Sequence, residues 1–414
     1  MIKRYFHRTT CRLCKSNSLE TVLQFCSTPP ANEFVSKEDL DIEQEKYPLE
    51  VFFCRHCKHV QLLDVVDPSI LFKNYVYVSG TSPVFIKHFK DYAASLIDSF
   101  KPSFDEIIID IGSNDGTLLS FFKKAGFQVL GIDPAKEISE IANKKGIETL
   151  NNFFDLEISK IIKKNYPKAS IITANNVFAH CDDLIGIVNG VKNLLSDNGI
   201  FIFEVSYLVD VVEKTLFDTI YHEHLSYHSV IPLINFFKSN GMELFKVERI
   251  NTHGGSLRGF AKLKNSNIKK DDSIDNLVKL EHELGINNSQ TFFEFNEKIT
   301  SIKNRLLEIL YKLKSEGKKI GAFGAPAKAT TLMYQFGLNN DLIDFIIDDS
   351  PLKQGLFSPG LHIPVLSSDT LKTEKPDYLL LLAWNFTDSI VEKNKEFLES
   401  GGHFIVPLPQ IQII

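Results

Sequence analysis

The eight residues Tyr221-His222-Glu223-His224-Leu225-Ser226-Tyr227-His228 hold three histidines, a carboxylate and two tyrosines. H-E-H lacks the spacing of H-E-x-x-H, which sets two ligands on one helix face, so this is a poor metalloprotease motif. A histidine titrating near neutrality is a ready proton acceptor, and an adjacent carboxylate can fix its tautomer and stabilise the imidazolium. General-base chemistry is therefore one reading, and a loop of surface histidines the other. A second constellation is Cys11-Arg-Leu-Cys14 with Cys54-Arg-His-Cys57. Two such turns present four thiolates to one tetrahedral ion, a closed site with no open position for catalysis, so Cys11, Cys14, Cys54 and Cys57 point to structural zinc rather than disulfides. The gap between the knuckles is longer than in ordinary zinc ribbons and carries Pro29-Pro30 and an acidic stretch near Asp39 to Glu45. Cys26 is expected as a small buried residue, and His56 and His59 at the surface or behind the ligands.

A third constellation is Ile107 to Leu119, IIIDIGSNDGTLL, which reads as a buried strand entering a glycine loop and then a helix. No G-K-[ST] follows, and the order D-x-G-x-x-x-G is not the dinucleotide fingerprint. Asp110 and Asp115 would repel a pyrophosphate but accept hydrogen bonds from an amino group or hydroxyls. The next strand ends at Asp133, where a carboxylate can receive a ribose diol. A glycine loop with a ribose acid and no phosphate site suggests an adenosine with a cationic amino-acid tail. The pattern resembles motif I of class I S-adenosylmethionine (SAM) methyltransferases, placing Asp110, Gly112, Asn114, Asp115, Gly116 and Asp133 around the cofactor.

These residues need a scaffold, and the chain is long enough for two or three domains. The composition is globular, 43% hydrophobic and 24% charged with a net charge of −6, and gives no reason to expect a nucleic-acid or anionic-membrane partner. MIKRYFHRTT does not resemble a signal peptide, and the longest apolar run, Tyr378 to Trp384, is too short for a bilayer, so a cytoplasmic location is expected. Strands are predicted at 106–111, 127–132, 147–150, 170–174 and 200–206. They alternate with helices near 117–125, 135–145, 155–164 and 182–196, in a doubly wound α/β pattern. Runs at 243–250 and 257–264 predict a closing antiparallel hairpin. Residues 270 to 316 read as a helical connector, and a second strand-loop-helix begins at Gly321. The expected organisation is a zinc-binding module over 1–75, a Rossmann-like methyltransferase domain over 76–268, the connector over 269–316, and a second Rossmann-like α/β domain over 317–414.

Further candidates follow from this frame. Asn175 and Asn176 leave the fourth strand toward the cofactor or substrate, and His180 follows five residues after Asn175, although core or capping roles are open to each. Asn152 and Phe153 after the third strand suit the adenine side, with Phe153 equally suited to the core. Tyr75 and Tyr77 sit in YVYVSGTSP, a turn or lid. The second loop, with Gly324, Lys328 and Thr330 at a helix start, suits a diphosphate, and Asp349 and Lys353 beyond the next strand suit a ribose or base.

Together the C-x-x-C pair, D-I-G-S-N-D-G, N-N-V-F-A-H, Y-H-E-H-L-S-Y-H-S, G-G-S-L-R and G-A-x-G-A-P-A-K-A-T-T resemble the nucleotide-sugar C-methyltransferase family of branched deoxysugar biosynthesis, over nearly the whole chain. The resemblance implies SAM and a structural zinc ion. It also implies a sugar nucleotide, a dTDP-, GDP- or CDP-4-keto-deoxyhexose, bound between the last two domains. It makes His224 the base, with Tyr221, Glu223, Tyr75 and His180 lining the sugar pocket and Tyr77, His222 and Arg258 on the substrate side. Asp133 stands where many relatives have Glu. The implied reaction is removal of the acidic C3 proton beside a 4-ketone and methylation of that carbon. Methyl transfer to oxygen or nitrogen of a sugar nucleotide or small metabolite, and a non-catalytic zinc and nucleotide-binding role, are the alternatives.

Overall fold

A computed structural model describes residues 4–72, 83–252 and 254–414. Tyr75, Tyr77 and the YVYVSGTSP turn lie outside the described residues. The N-terminal region is built from β1 (Tyr5–His7), β2 (Leu19–Thr28), β3 (Tyr47–Cys54), β4 (Val60–Leu62) and β5 (Asp64–Val66). β2, β3 and β4 form an antiparallel meander, and β1 pairs with β5. Each knuckle closes alike: Lys15 and Lys58 take left-handed φ of 62° and 71°, and their amides bond back to the carbonyls of Cys11 and Cys54 at 3.0 and 2.8 Å. The long gap between knuckles is filled by the β2–β3 hairpin and the loop it carries. One expectation needs correction here: Cys26 is exposed, because it falls on the outward side of β2. Of the two places expected for His59 it takes the buried one, with Nε2 3.2 Å from the Ser226 hydroxyl.

The central sheet contains β6 (Ile107–Ile111), β7 (Gln128–Ile132), β8 (Thr149–Leu150), β9 (Ala169–Asn175), β10 (Leu195–Ser206), β12 (Met242–Ile250) and β13 (Ser256–Leu263), with β11 (Ser226–Tyr227) between them in sequence. The order is β12-β13-β10-β9-β6-β7-β8. The last five strands are parallel, and β13 runs antiparallel to both β10 and β12, which is the expected closing hairpin. Ile107, Ile108 and Ile109 are wholly buried, as a strand covered on both faces requires. One cover is the helix Pro83–Phe100, through Tyr92, Ala93 and Leu96. The topological switch lies between β6 and β9, so a ligand belongs at the carboxyl ends of these two strands. β11 joins a different sheet. It pairs with β4 and becomes the fourth strand of the N-terminal meander.

The connector is not one helical rod. Helix Ser273–Glu283 and helix Gln290–Ser315 are separated by a turn at Gly285, φ 66°. The first belongs to the central domain: Glu281 reaches across to accept the Val230 and Ile231 amides at the start of helix Val230–Ser239 and the Tyr207 hydroxyl. The second packs Phe292 against Phe53 of β3. The C-terminal sheet holds β14 (Ile320–Phe323), β15 (Ile346–Ile347), β16 (Val365–Leu366), β17 (Tyr378–Leu381), β18 (His403–Val406) and β19 (Gln412–Ile413). Its order is β16-β15-β14-β17-β18-β19, parallel except for β19. One apolar cluster runs through all three regions, and a second lies between the central sheet and helix Pro83–Phe100. Among the described residues no helix is long and apolar enough to cross a membrane.

Candidate active site

At the end of β6 the chain turns through Gly112 and Asn114 with φ of 68° and 50°. A Cβ on Gly112 would stand 2.3 Å from Cγ2 of Val177, so only glycine lets this turn close against the loop after β9. Asp133, at the end of β7, accepts the amides of Asn114 and Ala135 at 2.9 Å each, which ties the second strand end to the glycine turn. Asp110 is buried beneath it, its carboxyl pushed up to about 7 by burial and held by the Thr173 hydroxyl at 2.6 Å. The buried Asp115 carboxylate takes Lys145 and the Thr117 hydroxyl, both at 2.6 Å, and so braces the helix that follows Gly116. Asn175 offers the test of fit for a cofactor. Both atoms of its carboxamide are buried without a partner among the described residues, at the switch point where a polar ligand would complete them. Asn176 follows it with φ 55°, and Asn152 and Phe153 are exposed at the rim, Phe153 by 53%.

The loop after β9 then folds into a turn, His180 N to Val177 O at 2.8 Å, and Ser226 N bonds Ala179 O at 3.1 Å. These bonds bring the H-E-H stretch alongside. The rings of His180 and His224 lie 4.9 Å apart, and those of Tyr221 and His224 4.2 Å apart. His224 Nδ1 is 2.7 Å from the Thr219 carbonyl, which can only accept, so Nδ1 carries a proton and in the neutral ring the lone pair is on Nε2. Glu223 is buried and its carboxyl pushed up to about 7 by burial, with the Asn32 amide donating to it at 3.0 Å. Asn32 comes from the Pro29-Pro30 loop of the N-terminal region.

The residues expected on the substrate side each engage other parts of the protein. His222 is buried with Nε2 at 3.2 Å from the Tyr47 and Pro48 carbonyls, a bond to β3. Arg258 donates to Glu204 at 2.6 Å and Glu248 at 3.2 Å and lies 3.8 Å over the Tyr92 ring, with His88 on the other oxygen of Glu204. This buried cluster ties β13 and β10 to helix Pro83–Phe100. In the glycine loop after β14 the Asp348 carboxylate accepts the Ala325 amide at 2.6 Å. Gly324 allows contact with Ala383, whose Cβ would be 2.4 Å from an added Cβ. Thr330 donates to the Ala31 carbonyl at 3.1 Å. Lys328 pairs with the buried Asp218 at 3.3 Å and lies 4.2 Å over the Trp384 ring. Lys353 bonds the Ala325 carbonyl at 2.7 Å, and the half-exposed Asp349 holds Lys393 and Ser368.

The four cysteine sulfurs converge within 4.8 Å of one another, with Cys11–Cys57 at 3.5 Å and Cys14–Cys54 at 3.6 Å. A tetrahedron with Zn–S near 2.3 Å has edges of about 3.8 Å, so the set fits zinc. Residues that sequence reading missed are the contacts between modules: Arg12, Asn32, Asp182, Asp218 and Trp384. The one tryptophan of the chain and an arginine inside a zinc knuckle were the available signals.

Three sequence families match in order along the chain. They are a putative zinc binding domain over residues 11–72, a methyltransferase domain over 85–247, and a C-methyltransferase C-terminal domain over 251–409. The C-methyltransferase NovU of Streptomyces niveus is 34% identical over 404 residues, 98% of this chain and 96% of that protein. Among solved structures, a SAM-dependent methyltransferase from Clostridium acetobutylicum aligns over 43% of this chain and 92% of its own, at 13% identity and TM-score 0.34. Magnesium protoporphyrin IX methyltransferase of Synechocystis aligns over 42% and 81%, at 16% identity and TM-score 0.33.

Proposed function

Because the chain belongs to the SAM-dependent C-methyltransferase family whose motifs it carries, we propose that its substrate is a nucleotide-linked 4-keto-deoxyhexose, methylated at C3 with His224 as the base. The observation that carries this reading is a chain of contacts: Gly112 abuts Val177, the Val177–His180 turn follows, and His180 faces His224. The cofactor turn and the histidine cluster are thus one loop apart, as methyl transfer to a carbon acid requires.

The glycine turn, Asp133 and Asn175 would hold SAM, which would supply a methyl group on a sulfonium centre and leave as the neutral thioether. The chain supplies the rest. Nε2 of His224 takes the proton from C3, and its Nδ1–H bond to Thr219 keeps the ring oriented and favours the charged imidazolium. His180 and Tyr221 stand beside it as donors for the enolate oxygen. Glu223, held by Asn32, closes the pocket from the zinc-binding side. The nucleotide is assigned to the C-terminal sheet, whose switch point between β14 and β17 reaches the 217–224 loop through Lys328 and Trp384. A cytoplasmic setting suits four cysteines poised as metal-ligating thiolates.

The test is incubation with dTDP-, GDP- and CDP-4-keto-6-deoxyhexoses in D₂O, with mass spectrometry of the recovered sugar. Methyl gain in the presence of SAM, and deuterium entry beside the ketone that His224→Ala removes, are the expected results. Absence of both with every nucleotide would overturn the substrate assignment.

A further inference from the structure

We propose that Arg12, inside the first zinc knuckle, is a positioning residue for both histidine loops, so that the zinc-binding module sets the geometry of the reacting pair. The inference rests on the reading of His180 and His224 as that pair.

Arg12 is the second residue of Cys11-x-x-Cys14, and its side chain is wholly buried. A buried guanidinium needs acceptors in the directions of its planar fork. Nη1 donates to the Leu225 carbonyl at 2.9 Å and to Oε1 of Gln61 at 3.2 Å, Nη2 to the Leu62 carbonyl at 3.0 Å, and Nε to Asp182 at 3.2 Å. Leu225 is the neighbour of His224, and Asp182 lies two residues beyond His180. One side chain therefore grips both loops next to the residues that face each other at 4.9 Å.

The surroundings make this grip rigid. Arg8 holds both oxygens of Asp182 at 2.7 and 2.8 Å, so that carboxylate carries two guanidinium partners. β11, which begins two residues after His224, is hydrogen-bonded into the sheet of β4, and Leu62 N bonds Leu225 O at 3.0 Å. Gln61 also accepts the backbone amide of Arg12 at 2.9 Å. Two of the guanidinium's acceptors, Gln61 and Leu62, lie in the zinc-binding module, while the other two, the Leu225 carbonyl and Asp182, lie outside it beside the two histidines. The direction of the side chain, toward the catalytic loops, is what assigns the role.

The test uses the full-length protein with Arg12→Lys, which keeps a charge but not the fork, and Asp182→Asn, which acts from the other side and covers the case in which the arginine variant folds poorly. Zinc per chain is measured by chelator release, SAM affinity by calorimetry, and local order by hydrogen–deuterium exchange of residues 179–182 and 222–226. The ¹⁵N imidazole signals of His180 and His224 are followed in parallel. The expected result is unchanged zinc and SAM binding, exchange in both segments faster by about tenfold or more, and displaced signals for both rings. With substrate, kcat falls while KM stays nearly constant. Loss of zinc in Arg12→Lys, or exchange and imidazole signals equal to those of the parent, would overturn the proposal. If the parent protein itself introduces no deuterium into any keto sugar, the substrate reading fails, and the exchange data still decide the role of Arg12.

Discussion

The Thr219 carbonyl and His224 Nδ1 are 2.7 Å apart, and this contact fixes which nitrogen of the ring is basic. A backbone carbonyl can only accept, so it holds the Nδ1–H tautomer whenever the ring is neutral. Thr219 is in turn held by its position beside Asp218, which receives the Trp384 indole N–H at 2.6 Å from the C-terminal domain. The His224 ring is therefore oriented by a segment anchored on one side by the C-terminal domain and, through Leu225, on the other by the zinc-binding module.

Because the orienting group is main chain, the side chain of Thr219 is dispensable and that of His224 is not. His224→Ala should lower both deuterium entry and methyl transfer by about 10²–10⁴-fold with SAM affinity retained. Thr219→Val, which loses only the hydroxyl bond to the Leu216 carbonyl, should remain within a few fold of the parent. Single-turnover methyl transfer with calorimetric SAM titration checks both.

Glu223 links stability to pH. Burial raises its folded-state pKa from 4.5 to about 7. The folded protein thus holds this proton more tightly than the unfolded chain does, a stabilisation complete below pH 4.5 and lost as pH rises through 7. Glu223→Gln keeps the acceptor for Asn32 and does not titrate. Relative to the parent, the variant should gain stability steadily between pH 4.5 and 7.5, by on the order of 3 kcal/mol in all. Urea midpoints measured across that range provide the check.

The local elements were legible because their signals are local. The β-branched run before Gly112 makes a buried strand, and the two C-x-x-C turns close on themselves through Lys15 and Lys58. What escaped was set by tertiary contact. Lys328 follows a glycine loop as a phosphate ligand would, yet its ammonium is drawn to Asp218, 110 residues away in sequence by the numbering. Arg258 sits in a motif that suggests a ligand contact, and Glu204 and Tyr92 enclose it. The Ser226-Tyr227 pair is too short to announce a strand and pairs only because β4 presents an edge to it.

The turn at Gly112, to which the proposal assigns the cofactor, is open to a direct test. An alanine there meets Val177 at 2.3 Å and must hold φ 68°, a left-handed conformation costing an L-residue about 1–2 kcal/mol. Gly112→Ala should weaken SAM binding by about tenfold or more. Adding Val177→Ala removes the clash and leaves the backbone cost, so it should restore only part of the affinity. Calorimetric titration of the two variants separates the contributions.

Lys328 and Asp218 give the sharpest contrast between a ligand contact and a structural pair. Asp218 is fully buried; burial raises its carboxyl pKa and lowers that of the Lys328 ammonium, and each charge offsets the shift of the other. Removing one partner strands the other, which typically costs about 3–5 kcal/mol. Lys328→Met should therefore lower the unfolding midpoint sharply, and Asp218→Asn in the same chain should recover part of the loss, a coupling of about 1–3 kcal/mol. A lysine that chiefly held a diphosphate would behave otherwise: Lys328→Met would reduce nucleoside diphosphate affinity and leave the midpoint nearly unchanged, with no coupling to Asp218. Thermal unfolding of the two single variants and the double variant, together with titration of dTDP, distinguishes the cases. The geometry predicts the first: a fallen midpoint, partial recovery in the double variant, and dTDP affinity close to that of the parent.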